Sequence, residues 1–316
     1  MRFKAVLSDQ GIRLLDKGLL PTLEKFGQTC QLLLSLEDVH FVQDVVDTTG
    51  TQVIARVAIN ELFNSGSIRL ESRYRNLIGF EFEVSLLRRV FKSAETNGAD
   101  RIEVKLANKS VPLAAGESES RPFLTFAVTG ENMNMVHELQ IGPPFKPAQI
   151  DNILAEVEST SLCPFYLDVQ PIIGQMQLQM ERLKSMGDSL NLSLSKMGEL
   201  YLTMRGEGLF LMSELGGLLV LPEGAAIEAT ARRPETAEER LQESLEMEQA
   251  AGVDVQTKHL SRSLAASQLT QPAQLLCGIG ENGGYVHFMF VYRDPLSTAG
   301  FDDSMSLSFK LPVREE

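Results

Sequence analysis

The sequence predicts an α+β fold of two similar domains, each an antiparallel sheet with two helices on one face. Three observations carry this. Apolar and polar residues alternate over many short runs, the mark of strands with one face turned to a core. Only four stretches show helical periodicity, and each is short. The order strand, helix, several strands occurs over 1–142 and again over 164–316. The 316 residues suffice for two domains of about 150 residues each.

The strands are the clearest elements. In RIEVKLA (101–107), Ile102, Val104 and Leu106 alternate with Arg101, Glu103 and Lys105. In SLNLSLS (189–195), Leu190, Leu192 and Leu194 alternate with polar residues, and MSLSFKL (305–311) repeats the pattern with Met305, Leu307, Phe309 and Leu311. Turn residues separate the runs: Thr49-Gly50, Gly187-Asp188 and Asn282-Gly283-Gly284.

The helices read as 12–26, 84–97, 171–186 and 258–270. The first carries Arg13, Lys17 and Lys25, and its Gly18 and Pro21 predict a kink or a late start. The second has an apolar stripe of Val84, Leu87, Phe91 and Ala94, with Ser85, Arg88, Arg89 and Lys92 opposite. The third sets Ile172, Met176, Met180 and Leu183 against Arg182 and Lys184. The fourth sets Leu260 and Leu264 against Lys258 and Arg262, one turn apart.

Two segments stand outside this scheme. Residues 143–163 are proline-rich without a clear period and predict a connecting linker. Residues 222–251 hold eight Glu and three Arg and predict an exposed acidic insertion within the second domain, with a helix beginning after Pro234.

Function classes fall away in turn. The glycines of GIGENGG (278–284) match a dinucleotide-loop spacing, but a strand, YVHFMFVY (285–292), follows where a helix is required, so they read as a hairpin turn. No phosphate loop or nucleophile elbow occurs in the sequence. The four histidines (His40, His137, His259, His287) and three cysteines (Cys30, Cys163, Cys277) lack metal-ligand spacing, and an odd cysteine count suits a reducing compartment. The Asn108 and Asn191 sequons fall at the end of a strand and within one. No stretch is long enough to span a bilayer as a helix, and the opening residues form no secretory signal. The expectation is a soluble intracellular protein that is not an enzyme and needs no cofactor or metal.

The net charge of −13 makes the basic helix faces notable. Any one of them is an ordinary solvated surface. Four such faces on one side of a sheet would make a positive track in a negative shell. Such a track suits a phosphate backbone and reads no bases.

The chain resembles the DNA sliding-clamp fold of proliferating cell nuclear antigen in its repeated element order, its basic helices and its acidic remainder. The opening MRFKAVLSD, KFGQTC (25–30), FKSAETNGADRIEVKLANK (91–109), DSLNLSLSKMGELYLTM (188–204) and LLCGIGENGGYVHFMF (275–290) resemble the Hus-one subunit family of the checkpoint clamp. This resemblance implies a nuclear heterotrimeric ring with Rad-nine-type and Rad-one-type subunits. An ATP-driven loader would place it on double-stranded DNA, where it serves checkpoint kinase signalling and repair enzymes. A homotrimeric replication-type clamp is the alternative. The resemblance implies channel-facing roles for Lys25, Arg89, Lys92, Arg182, Lys184 and Lys258. Helical phase adds Arg13, Lys17, Arg88 and Arg262. Clamp order also implies RIEVKLA (101–107) and LFLMSEL (209–215) as the strand edges that pair between subunits, and a partner pocket beneath 143–162 near Val42.

Overall fold

The computed structural model describes residues 1–44, 50–112, 118–131, 133–158, 162–206, 208–227, 234–293 and 301–314. Contacts divide the chain into two compact units, Met1–Thr49 with Val53–Ser159, and Gly50–Gln52 with Thr160–Glu316. Thr49 of the expected first turn lies outside the described residues, as do parts of the predicted linker (159–161) and of the acidic insertion (228–233).

The first unit begins with β1 (Arg2–Val6), α1 (Asp9–Arg13), a π-helical stretch (Leu14–Leu19) and α2 (Leu20–Phe26). Next come β2 (Thr29–Leu34), β3 (Asp38–Gln43), β4 (Gln52–Ala58), α3 (Ile59–Leu62), β5 (Arg69–Glu71), β6 (Ile78–Glu83) and α4 (Val84–Thr96). The long strands β7 (Arg101–Pro112), β8 (Ser118–Gly130) and β9 (Met133–Gln140) lead to α5 (Pro147–Glu158). The strands order as β5-β1-β7-β8-β9 and as β4-β3-β2-β6, antiparallel throughout.

The first helix starts at Asp9, earlier than expected. Ser8 caps it, its Oγ accepting from Gly11 N at 2.8 Å. Gly11 is required there, because a Cβ would lie 2.3 Å from Leu62 O. Pro21 does not end the helix. It falls in the first turn of α2, just after the π stretch, which ends with Leu20 N bonded to Leu15 O. The wider turn absorbs the donor that proline lacks.

The predicted stripe of α4 is buried as expected: Val84, Leu87, Phe91 and Ala94, joined by Val90. Leu87 and Phe91 reach a shared core with Phe3, Phe41, Val104 and Phe126, drawn from both strand groups. A cavity of about 50 Å³ persists among these side chains.

The second unit repeats the plan. It has β10 (Tyr166–Asp168), α6 (Ile173–Leu183), β11 (Ser189–Ser195), β12 (Glu199–Gly206), β13 (Leu209–Leu215) and β14 (Val220–Leu221). After α7 (Ala237–Glu246) come β15 (Ala250–Gln256), α8 (Thr257–Thr270), β16 (Gln274–Ile279), β17 (Tyr285–Arg293) and β18 (Phe301–Pro312). The strand orders are β14-β10-β16-β17-β18 and β13-β12-β11-β15. The glycines of GIGENGG form the β16–β17 hairpin, with Asn282 and Gly283 at positive φ (59° and 70°), as read from the sequence.

Two features differ from the sequence reading, and one agrees with it. The 143–163 segment contains α5, whose Ile150 and Ile153 are buried. The acidic insertion contains the helix expected after Pro234, α7, begun by a Thr236–Glu239 capping box. The second face of SLNLSLS is only partly wet: Ser189 and Asn191 are half-buried, but Ser193 and Ser195 are buried, as are Tyr201 and Thr203 on the neighbouring strand. Helix α7, packed on β13 and β15, covers this side of the sheet.

Candidate nucleic-acid interface

In the first unit α2 lies beside α4, and the predicted basic residues of α4 and of the helical run from α1 through α2 reach the surface. Arg13, Lys17, Lys25, Arg89 and Lys92 are exposed, and Arg88 is half-buried. Their apolar neighbours explain this. Leu19, Leu20, Leu23 and Phe26 on one helix, and Leu87, Val90 and Phe91 on the other, are drawn into the core.

Two of the six are already paired. Lys17 Nζ lies 2.6 Å from Glu95 Oε1 and 2.9 Å from Asp16 Oδ2, and these carboxylates raise its pKa. Arg88 pairs with Glu24, joining α4 to α2. Asp16 adjoins Lys17 in sequence, but no local spacing signals Glu95 or Glu24, which lie 78 and 64 positions from their partners. Such pairs lower the charge available to a polyanion, so Lys25, Arg89, Lys92 and Arg13 carry the stronger field of this unit.

In the second unit α6 and α8 lie side by side. Gln177 joins them: its Nε2 donates to Leu264 O at 2.9 Å, and Gln268 Nε2 donates to its Oε1 at 2.9 Å. Arg182, Lys184, Lys258 and Arg262 are all exposed. Beneath the last two, His259 is fully buried with Nδ1 2.7 Å from Thr51 Oγ1. Burial, and then the Lys258 and Arg262 charges, lower its pKa to about 4, so it stays neutral and adds nothing to the positive surface.

The strand edges correct one expectation. RIEVKLA belongs to β7, which is paired on both sides, by β1 and β8. It offers no free edge, because the chain continues through β8 into a further strand. The edges of that sheet are β5 and β9, and β9 exposes Val136. LFLMSEL is β13, and it does lie at the edge of its sheet.

The surface near Val42 is occupied by the chain itself. Val42, Leu33, Ile54 and Leu77 pack with Ile150 and Ile153 of α5, flanked by Tyr74, Phe145, Leu154 and Val157. Asp151 fastens the helix, accepting from Tyr74 Oη at 2.7 Å and lying 3.7 Å from Arg75 Nη1.

Among the described residues no cluster of His, Cys, Asp or Glu could hold a metal, and no helix is long and apolar enough to cross a membrane.

Paired helices over antiparallel sheets, repeated in two units, define the sliding-clamp class of fold. Solved structures agree. Proliferating Cellular Nuclear Antigen from Entamoeba histolytica is similar at a TM-score of 0.60 and 10% identity, covering 99% of each chain. PCNA from Thermococcus kodakaraensis is similar at 0.60 and 16% identity, covering 99% of this chain and 100% of that one. No curated protein sequence matches. The profile of the Hus1-like protein family matches residues 1–313, and the chain belongs to that family.

Proposed function

We propose that this chain is a non-catalytic subunit of a heterotrimeric ring that encircles double-stranded DNA and serves DNA-damage checkpoint signalling in the nucleus. Its partners in this reading are the Rad-nine-type and Rad-one-type subunits, an ATP-driven loader and repair enzymes. The observation that carries it is the helix chemistry. In both units the helices bury their apolar faces against sheet and expose Lys25, Arg89 and Lys92, or Arg182, Lys184, Lys258 and Arg262. Such faces meet phosphates without reading bases, which is what a sliding ring needs. A closed ring holds DNA by topology, so a few salt-sensitive contacts suffice. In this reading the edge strands β9 and β13 pair with neighbouring subunits.

The test has two stages. Light scattering measures the mass of the chain alone and then co-expressed with the two sister subunits. A 1:1:1 assembly supports the reading, and a homotrimer of the chain alone would replace it with a replication-type clamp. The Lys25, Arg89 and Lys92 to Glu variant is then incorporated. Weaker DNA contact with assembly intact supports the helix assignment, whereas lost assembly would show these residues to be structural.

A further inference from the structure

Helix α7 roofs one face of the β13-β12-β11-β15 sheet, and among the described residues nothing fills the space beneath. Between α7 and the strands lies a groove of about 370 Å³. This is within the range of small-ligand sites, about 300–1,000 Å³. Its floor is polar and ordered by strand register: Thr203, Asn191 and Asp254 stand in one cross-strand row. In the next row Gly252 sits opposite Ser193. There a Cβ would lie 2.5 Å from Ser193 Oγ, so glycine keeps the floor low. Leu241 and Leu245 of α7 form an apolar wall.

The floor is only partly satisfied. Ser193 Oγ donates to Asn191 Oδ1 at 2.7 Å, and Asn191 Nδ2 donates to Asp254 Oδ1 at 2.9 Å. Thr203 is 7% exposed, and its buried Oγ1 has no partner among the described residues. A buried hydroxyl without a partner is costly, and a ligand could satisfy it. At the Ser189 end two guanidinium groups approach the groove. Arg205 lines it, and Arg314 Nη1 lies 3.4 Å from Ser189 Oγ.

We propose that this groove binds a short extended peptide segment with an anionic side chain at one end and an apolar one further along. The anion meets Arg205 and Arg314, backbone and side-chain polar groups meet Thr203 and Asp254, and the apolar side chain rests on Leu241 and Leu245. From Ser189 to Ser193 the strand advances by about 13 Å, the length of some four extended residues. The anion is a carboxylate or a phosphate, since guanidinium groups pair with both.

The test is an NMR titration of the full isotope-labelled chain. The probe is a blocked tetrapeptide with phosphoserine at one end and leucine at the other, alongside its glutamate and alanine counterparts. Saturating shifts confined to β11, β12, β15 and α7 are expected. Arg205→Ala should weaken binding at least about tenfold, as loss of a charge-assisted contact does. Thr203→Val should weaken it without lowering the melting temperature, since it removes a buried unpartnered hydroxyl. Binding of the phosphoserine peptide alone identifies a phosphate site, and equal binding of the glutamate peptide identifies a carboxylate site. The proposal is overturned by an absence of saturating shifts at millimolar peptide, by equal binding of the alanine peptide, or by full affinity in Arg205→Ala. Inorganic phosphate binding as tightly as the peptide would also overturn it.

Discussion

Arg240 of α7 grips Glu214 of the edge strand β13 with two nitrogens, its Nε donating to Oε1 at 3.1 Å and its Nη2 to Oε2. The same guanidinium donates through Nη1 to Pro234 O and Glu235 O, both at 2.9 Å. One side chain thus closes the start of α7 and ties it to the sheet. Tyr201 Oη, donating to Glu199 Oε2 at 2.6 Å, lies 3.4 Å from Glu214 Oε1. Burial and the Glu214 charge raise the Tyr201 pKa to about 12. Arg240→Ala removes the guanidinium from the half-buried Glu214 carboxylate and should cost about 1–3 kcal/mol. Limited proteolysis should then cut within 234–247 before the rest of the chain. Unchanged cleavage would mean that Leu241 and the buried Ser244 hold the helix without the ion pair.

Helix α5 makes a second testable contact. Ile153 is 5% exposed among Leu33, Val42, Ile54 and Leu77. Ile153→Ala should destabilise the first unit by about 2–4 kcal/mol, the usual cost of a large-to-small core change. Ile150→Glu with Ile153→Glu should release the helix, because two carboxylates cannot stay in that apolar seat. A rise in hydrophobic-dye binding with most far-ultraviolet dichroism retained is the expected result. Global unfolding would show that the seat is part of the unit's essential core.

Much of the fold was legible because strand periodicity is local. Leu190, Leu192 and Leu194 are at most 2% exposed, as their alternation requires. What covers the other face of that strand could not be read locally, since α7 lies more than 40 residues further along. Helix α5 was legible in principle. Ile150, Ile153, Leu154 and Val157 follow the i, i+3, i+4, i+7 pattern, and Pro147 is a permitted first helical residue. The prolines before it obscured that signal. The free edge of the first sheet depends on pairing order, which no single strand encodes, so β7 and β9 could not be told apart. For the candidate interface, helical phase found the exposed basic residues, but Glu24 and Glu95 enter only through tertiary packing.

The three cysteines should be inert in the folded chain. Cys30, Cys163 and Cys277 are buried thiols, none of them in a disulfide. Burial raises the thiol pKa of Cys163, and raises that of Cys277 well above its ordinary value. The thiolate is the reactive form, so little is available at neutral pH. A thiol reagent should label almost nothing in native protein and all three residues in denaturant. Rapid native labelling of one site would reveal local opening there.

Two buried histidines set an acid limit on stability. His287 is fully buried, with Nδ1 2.9 Å from Tyr166 Oη, and His259 is equally enclosed. Burial first, aided by Lys310 beside His287 and by Lys258 and Arg262 beside His259, lowers both pKa values to about 4. In the unfolded chain both return toward about 6.5. Above that value neither state binds the protons, and the histidines have no effect. As pH falls from 6.5 to 4, the unfolded state takes up protons that the folded state refuses, so stability falls. At about 1.4 kcal/mol per pK unit, each histidine should cost about 2 kcal/mol at pH 5. Below 4 both states are protonated and the penalty stops growing. Urea unfolding at pH 7.5 and pH 5 should therefore show the wild-type midpoint dropping with acid, and His287→Gln should drop less. Equal drops in the two proteins would show that His287 takes up its proton in the folded state and that the acid sensitivity originates elsewhere.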